Sequence, residues 1–204
     1  MQKNLLIVFA KNIKLGKVKT RLAKTIGDNH AFDVYKYLVQ RTEENTSQVY
    51  GCDIHIYFSD VIIESKWKNH PKFVQKGNDL GERMKDAFLQ SFEKGYEKVV
   101  GIGTDIPDLS AEIITQSFQE LDLSETVFGP AEDGGYYLLG MKKLHSIIFD
   151  NKEWSTSTLL KKTFQDLKSN AVSTSILVEL NDIDTIEDLE KSNVRFLLKQ
   201  MKTS

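Results

Sequence analysis

The run "NLLIVFA" (4–10) is almost continuously apolar, as expected of a parallel strand buried on both faces, whereas "DIHIYFS" (53–59) alternates Ile54, Ile56 and Phe58 with more polar neighbours. Between them Ala31, Val34, Tyr35, Leu38 and Val39 fall on one helical stripe, and Leu80, Met84, Ala87, Phe88 and Phe92 form another that stops at Gly95, a natural left-handed cap. "KVVGIG" (98–103) reads as a second buried strand. Ile114, Phe118 and Leu121 then mark a helix, "TVFG" (126–129) and "YYLLG" (136–140) two strands, and Leu159, Leu160, Thr163, Phe164 and Leu167 a further helix. The strand "SILVEL" (175–180) leads into a last helix opened by Thr185, with Asp188 three residues on as in a capping box. Strand and helix alternate without a repeat or a boundary, which predicts one α/β domain over residues 1–204 with a mostly parallel sheet.

Composition narrows the function more than the fold. A net charge of −2 across 204 residues gives no general attraction for nucleic acid or for an anionic membrane. Yet Lys11, Lys14, Lys17, Lys19 and Arg21 crowd behind the first strand, so the basic cluster reads as a local site for one small anion. The single cysteine, Cys52, excludes an internal disulfide and a cysteine metal cage. Leu5–Ala10 is too short to span a membrane and lacks a cleavage pattern, so a cytoplasmic protein is expected.

Ligands of such sheets bind at the carboxyl ends of the strands. The cationic loop leaves the first strand there, Asp105 and Asp108 follow "KVVGIG", Glu132 and Asp133 follow "TVFG", and Asp182 and Asp184 follow "SILVEL". Converging cations and carboxylates would suit a polyphosphate with a divalent metal between them. Better-known phosphate loops fail on their spacing. Val18 follows Gly16-Lys17 where a Walker loop needs Ser or Thr, and Ile106 stands where a dinucleotide fingerprint beginning at Gly101 needs its third glycine. No G-x-S-x-G elbow supports a serine hydrolase.

Six ordered blocks, "FAKNIKLGKVKTRLA", "GNDLGERM", "GTDIPDL", "GPAEDGGYYLLG", "EWSTSTLL" and "DIDTIEDL", cover nearly the whole chain. They resemble a bacterial family of small proteins in the nucleotide-diphospho-sugar transferase superfamily, generally labelled glycosyltransferases, some associated with arsenosugar synthesis. "KVKTRL" and "DIDTIEDL" are also similar to parts of phospholactate and molybdenum-cofactor guanylyltransferases. One departure is the absence of a proline near Ile13.

The resemblance implies a GT-A-like three-layer α/β/α fold with a mostly parallel mixed sheet, whose first loop wraps a nucleotide. It implies that Ala10, Lys11, Gly16, Lys19, Arg21 and Thr104 line the nucleotide, that Lys19 and Arg21 neutralise its phosphates, and that Asn78, Asp79 and Gly81, with Arg83, lie near base and ribose. Lys14 and Lys17 read as merely solvated. Asp105 resembles a metal-binding aspartate for Mg²⁺ or Mn²⁺, with Asp184, or less favourably Asp182, as a second ligand. Asp108 reads instead as the acid that caps the next helix. Gly134, Gly135, Tyr136, Trp154 and Ser155 would face a small-molecule acceptor, Ser155 having helix capping as its rival role. Asp133, or failing it Glu132, would take the acceptor's proton.

Three functions are compatible with these residues. The first is a metal-dependent glycosyltransferase using a nucleotide sugar. The second is a nucleotidylyltransferase that joins a nucleoside monophosphate to a phosphorylated small molecule and releases pyrophosphate. The third is a nucleotide-binding protein without turnover. A strongly cationic first loop favours the second, and the "DIPD" spacing lacks the D-x-D common in glycosyltransferases. The family label favours the first.

Overall fold

The structure, a computed structural model, describes residues 3–201. Seven strands form one sheet: β1 (Asn4–Ala10), β2 (Asp53–Phe58), β3 (Lys72–Val74), β4 (Lys98–Ile102), β5 (Thr126–Pro130), β6 (Tyr136–Met141) and β7 (Thr174–Ile176), in the order β3-β2-β1-β4-β6-β5-β7. All neighbouring pairs are parallel except β4·β6 and β5·β6, so β6 is the one reversed strand among those described. The sheet is mixed and mostly parallel, as expected.

Alternation along β1 divides the interior. Leu6, Val8 and Ala10 pack with Tyr35 and Val39 of α2 (Asp28–Thr46) and with Ile114, Phe118 and Leu121 of α4 (Ala111–Leu123). Leu5 and Ile7 face the opposite layer, where Met84 and Phe88 of α3 (Leu80–Glu93) meet Leu160 and Leu167 of α5 (Leu159–Ser169). The result is three layers, with strand exits free at one edge. A third cluster joins Leu22 of α1 (Thr20–Ile26) and Leu38 to Ile183, Leu189 of α6 (Ile186–Lys191) and Leu197 of α7 (Phe196–Met201).

Helix ends follow local chemistry. Gly95 takes φ 91° just beyond α3, and Thr185 with Asp188 completes a capping box at α6. Asp108 does not cap α4. Ser110 does, accepting from the Ile113 N–H, while Asp108 accepts from the Asn193 side chain instead. Ser155 does not cap α5 either: it sits in the loop before that helix at φ 60°. The predicted strand over 175–180 is regular only as far as Ile176, beyond which the chain still follows β5 through a bridge between Ala131 and Leu180. No described helix is long and apolar enough to cross a membrane.

Candidate active site

The loop that leaves β1 is fixed from both sides. Asn12 is only 5% exposed; its side-chain carbonyl accepts from the N–H groups of Asp60 (2.7 Å) and Val61 (3.2 Å), and its amide donates to the Val61 carbonyl (2.7 Å). Ser59 donates to the same Asn12 oxygen at 3.2 Å, so a buried amide does the fastening that no proline does here. Lys14 adds an ion pair with Asp60. From the other side the Tyr35 hydroxyl donates to the Lys11 carbonyl (3.2 Å) and meets Thr104 Oγ1 at 3.1 Å, tying the loop to the exit of β4. Burial holds the Tyr35 phenol well above its ordinary pKa, so it stays a donor. Gly16 turns the loop at φ 72°.

Lys19 follows in the left-handed region, at φ 47° and ψ 48°, immediately before α1. That backbone costs a non-glycine residue about 1–2 kcal/mol. What it accomplishes is orientation: the side chain runs inward, 6% exposed, to place Nζ 3.1 Å from Asp105 Oδ2 and 3.5 Å from Asp182 Oδ2. Burial alone would lower the ammonium's pKa, but Asp105, Asp182 and Asp184 overcome it and the net shift is upward, so Lys19 is charged. Asp184 pairs with Arg21 at 2.9 Å, in the open, where Arg21 is 73% exposed.

The carboxylates outnumber these cations. Burial, with Asp105, Asp184 and Asp133 opposing the relief from Lys19, pushes Asp182 up to about 6. Asp105 and Asp184 retain 42% and 34% exposure. An excess of half-exposed carboxylate oxygens fits a hard divalent cation. In the present arrangement no three acidic, histidine or cysteine side chains among the described residues form a ready cage, and the ammonium of Lys19 lies between Asp105 and Asp182. An Ile183 N–H to Asp105 carbonyl bond (3.4 Å) anchors the 182–184 segment at the β4 exit, flanking a fully buried Ile183.

Other expected residues have structural work. Ala10 is buried at the end of β1 and its carbonyl accepts from the Ser59 N–H at 2.9 Å. Lys11 and Arg21 are exposed at the rim, whereas Thr104 is buried under Tyr35. Asp79 caps α3, accepting from the Glu82 N–H at 2.8 Å, and the Asn78 N–H donates to Glu82. Gly81 lies against the Trp154 indole with no room for a Cβ, which fastens the 151–158 loop to the start of α3. Gly134, at φ 87°, leaves no room for a Cβ beside the Ser157 backbone, and its carbonyl accepts from the Leu160 N–H at 3.0 Å. The Gly135 N–H donates to Asp133 at 2.8 Å. Tyr136 turns its hydroxyl into the core and meets Trp154 and Phe128 edge-on, so these rings pack against each other. The acid pair is divided: Asp133 bears on Asp182, while Glu132 lines an open groove of about 480 Å³ with Leu160, Lys161, Phe164 and Lys168. Tyr35 and Asn12 are the residues sequence reasoning missed. Tyr35 reads as one apolar position on a stripe, and nothing in its spacing betrays the hydroxyl.

A family described as "Uncharacterized protein conserved in bacteria (DUF2064)" matches residues 46–156, more than half of the chain. The chain belongs to this family. Its matched segment contains Asp105 and the Glu132–Gly135 turn, while Lys19, Arg21, Asp182 and Asp184 lie outside it. No curated protein matches the chain. Among solved structures, a protein of Desulfovibrio desulfuricans G20 provisionally named a nucleotide-diphospho-sugar transferase is 29% identical, with a TM-score of 0.88 over 100% of this chain and 96% of that one. The 4-diphosphocytidyl-2C-methyl-D-erythritol synthase of Anaerococcus prevotii DSM 20548 is 12% identical, with a TM-score of 0.59 over 98% and 97%. A manganese complex of a Mycobacterium tuberculosis H37Rv protein is 13% identical, with a TM-score of 0.55 over 98% and 99%. The fold is that of the nucleotide-diphospho-sugar transferases.

Proposed function

We propose that this protein is a metal-dependent transferase that uses a nucleotide-activated donor, most simply a nucleotide sugar delivered to a small hydroxyl-bearing acceptor. The observation that carries the reading is the meeting of Lys19, Asp105 and Asp182 at the strand exits, with Arg21 and Asp184 beside them. The 29% identity to a provisionally named nucleotide-diphospho-sugar transferase supports it.

In this reading Asp105 and Asp182 hold Mg²⁺ or Mn²⁺, and Asp184, engaged by Arg21, stands next to them. The ion supplies positive charge where the departing nucleotide diphosphate gathers negative charge. Arg21 binds phosphate from the exposed rim, each charge-assisted hydrogen bond being worth about 1.5–3 kcal/mol. Asp133, held by the Gly135 N–H in the turn after β5, receives the proton of the acceptor hydroxyl.

Nucleotidylyl transfer is the second reading. It is favoured by the cationic first loop, where Lys11, Lys19 and Arg21 stand at or near the strand exits, and by the diphosphocytidyl product in the name of the Anaerococcus protein of the same fold. Incubation with Mn²⁺ and either nucleotide sugars or nucleoside triphosphates separates the two. Release of nucleoside diphosphate from the sugars supports glycosyl transfer, release of pyrophosphate from the triphosphates supports the alternative, and binding without either product leaves a non-catalytic binder.

A further inference from the structure

The ammonium of Lys19 stands between the two carboxylates to which the proposed function assigns the metal. We infer that Lys19 is the resting counter-cation of Asp105 and Asp182, that it and a divalent ion exclude one another there, and that a nucleotide's phosphates end the competition by drawing the ammonium away. This rests on the proposed metal-nucleotide site and adds an order of binding to it.

Three observations lead here. The side chain is 6% exposed, yet its ammonium is spanned by two carboxylate oxygens at 3.1 and 3.5 Å, so within the fold its charge is matched by those groups. The placement is built in, because a left-handed backbone at Lys19 aims the side chain inward while Asn12 and Tyr35 fix the loop that carries it. A divalent ion bound by the same oxygens would sit within a few ångströms of a full positive charge, which is strongly repulsive away from bulk water. Metal alone must therefore displace Lys19 into a setting with no anion for it. A nucleotide brings that anion: the ammonium turns to phosphate, the carboxylates are released to the ion, and the ion in turn binds phosphate. Each ligand thereby raises the affinity of the other, and to the direct contact of ion with phosphate this side chain adds a coupling of its own.

Lys19 acts as a positioning residue, and removing its charge has opposite effects on the two ligands. In Lys19→Met, Mn²⁺ alone should bind at least tenfold more tightly than in the parent, while nucleoside diphosphate alone binds more weakly. Lys19→Arg keeps a cation in place and should resemble the parent toward Mn²⁺ alone. Free Mn²⁺ followed by electron paramagnetic resonance gives these affinities, first with metal only and then with UDP, CDP, GDP and ADP in turn. In the parent at least one diphosphate should tighten Mn²⁺ binding several-fold beyond its own solution affinity for the ion, and that gain should be several-fold smaller in Lys19→Met. Should the methionine variant unfold, Lys19→Gln with the rise in melting temperature on adding Mn²⁺ gives the same comparison. If Mn²⁺ alone binds the parent as tightly as the neutral variants, the exclusion is wrong although the metal site stands. If no protein binds Mn²⁺ under any condition, the proposed metal site itself fails.

Discussion

His55 lies on β2 with its ring between Phe73 and Tyr96, its Nδ1 buried without a described partner and its Nε2 at 3.5 Å from the Tyr96 hydroxyl. Burial, helped by Lys94 and opposed by Asp53, lowers its pKa from 6.5 to about 4. The fold therefore prefers the neutral ring. The associated stability is complete above pH 6.5 and is lost as pH falls through 4, about 2–3 kcal/mol at the lower value. His55→Leu should accordingly lose less melting temperature than the parent between pH 7 and pH 4, which calorimetry at the two pH values would show; equal losses would mean that the acid sensitivity arises elsewhere. At the same scale, Asp105→Asn keeps the side chain's shape while removing its charge. It should abolish most of the metal dependence of nucleotide binding and also lower the melting temperature, since the buried Lys19 ammonium loses the nearer of its two carboxylate partners. Calorimetric titration with Mn²⁺ or with chelator is the check, and undiminished metal dependence in the variant would remove Asp105 from the site. Asp105 and Lys19 were legible in the sequence because position after a buried strand already says which way a polar residue must go. Which cation meets which aspartate was not legible, since nothing in the sequence says that Arg21 engages Asp184 while Lys19 reaches Asp182.

Elements hold the site through contacts that periodicity does not register. The first loop has no apolar stripe, so neither its course nor the short α1 behind it could be read, and Asn12 looks like one more polar residue in a basic run. Its amide is nevertheless the knot between this loop and the one after β2. Asn12→Ala should cost about 0.5–1.5 kcal/mol for each hydrogen bond that water does not replace, because the Asp60 and Val61 N–H groups and the Val61 carbonyl lose their partner. Nucleotide affinity should fall about tenfold with it, measured by titration under conditions where the variant remains folded. A stable variant with unchanged affinity would mean that the loop holds its shape without this side chain. Gly134 gives the sharper case. A methyl group there would strike the Ser157 backbone, and φ 87° is itself unfavourable for alanine, so Gly134→Ala should be destabilised by more than about 2 kcal/mol in chemical denaturation. Nothing in the sequence around Gly134 signals the approach of the Ser157 backbone, 23 positions further along the chain.

Over the whole molecule, the succession of strands and helices was enough for an α/β fold with a mostly parallel sheet, while the three layers came from the family resemblance. Apolar patterns could not reveal that β6 runs antiparallel between β4 and β5, since "YYLLG" has the same apolar character in either direction. The same scale gives a stability prediction. Ligands that bind only the folded chain stabilise all of it, by about 2.7 kcal/mol at a hundred times Kd. Mn²⁺ with a bound nucleoside diphosphate should therefore raise the melting temperature by several degrees, and nucleotide with chelator by much less. Equal rises with metal and with chelator would argue that the carboxylates serve the fold and not an ion.

The pairing of Lys19 with residues far along the chain also bears on how the protein matures. Lys19 and Asp105 are 86 positions apart, and Arg21 and Asp184 are 163 apart. During synthesis, then, the first loop emerges long before its charges have anything to meet. The lysine can bury its ammonium against both carboxylates only after the 182–184 segment has left the ribosome and settled beside β4. Loop closure over such a span is slow and entropically costly, which makes this pocket a late event in folding. If the proposed function holds, nucleotide binding by a growing chain would wait for that segment, and a released fragment that stops before Asp182 would be an incompetent competitor, unable to sequester nucleotide from chains that carry it.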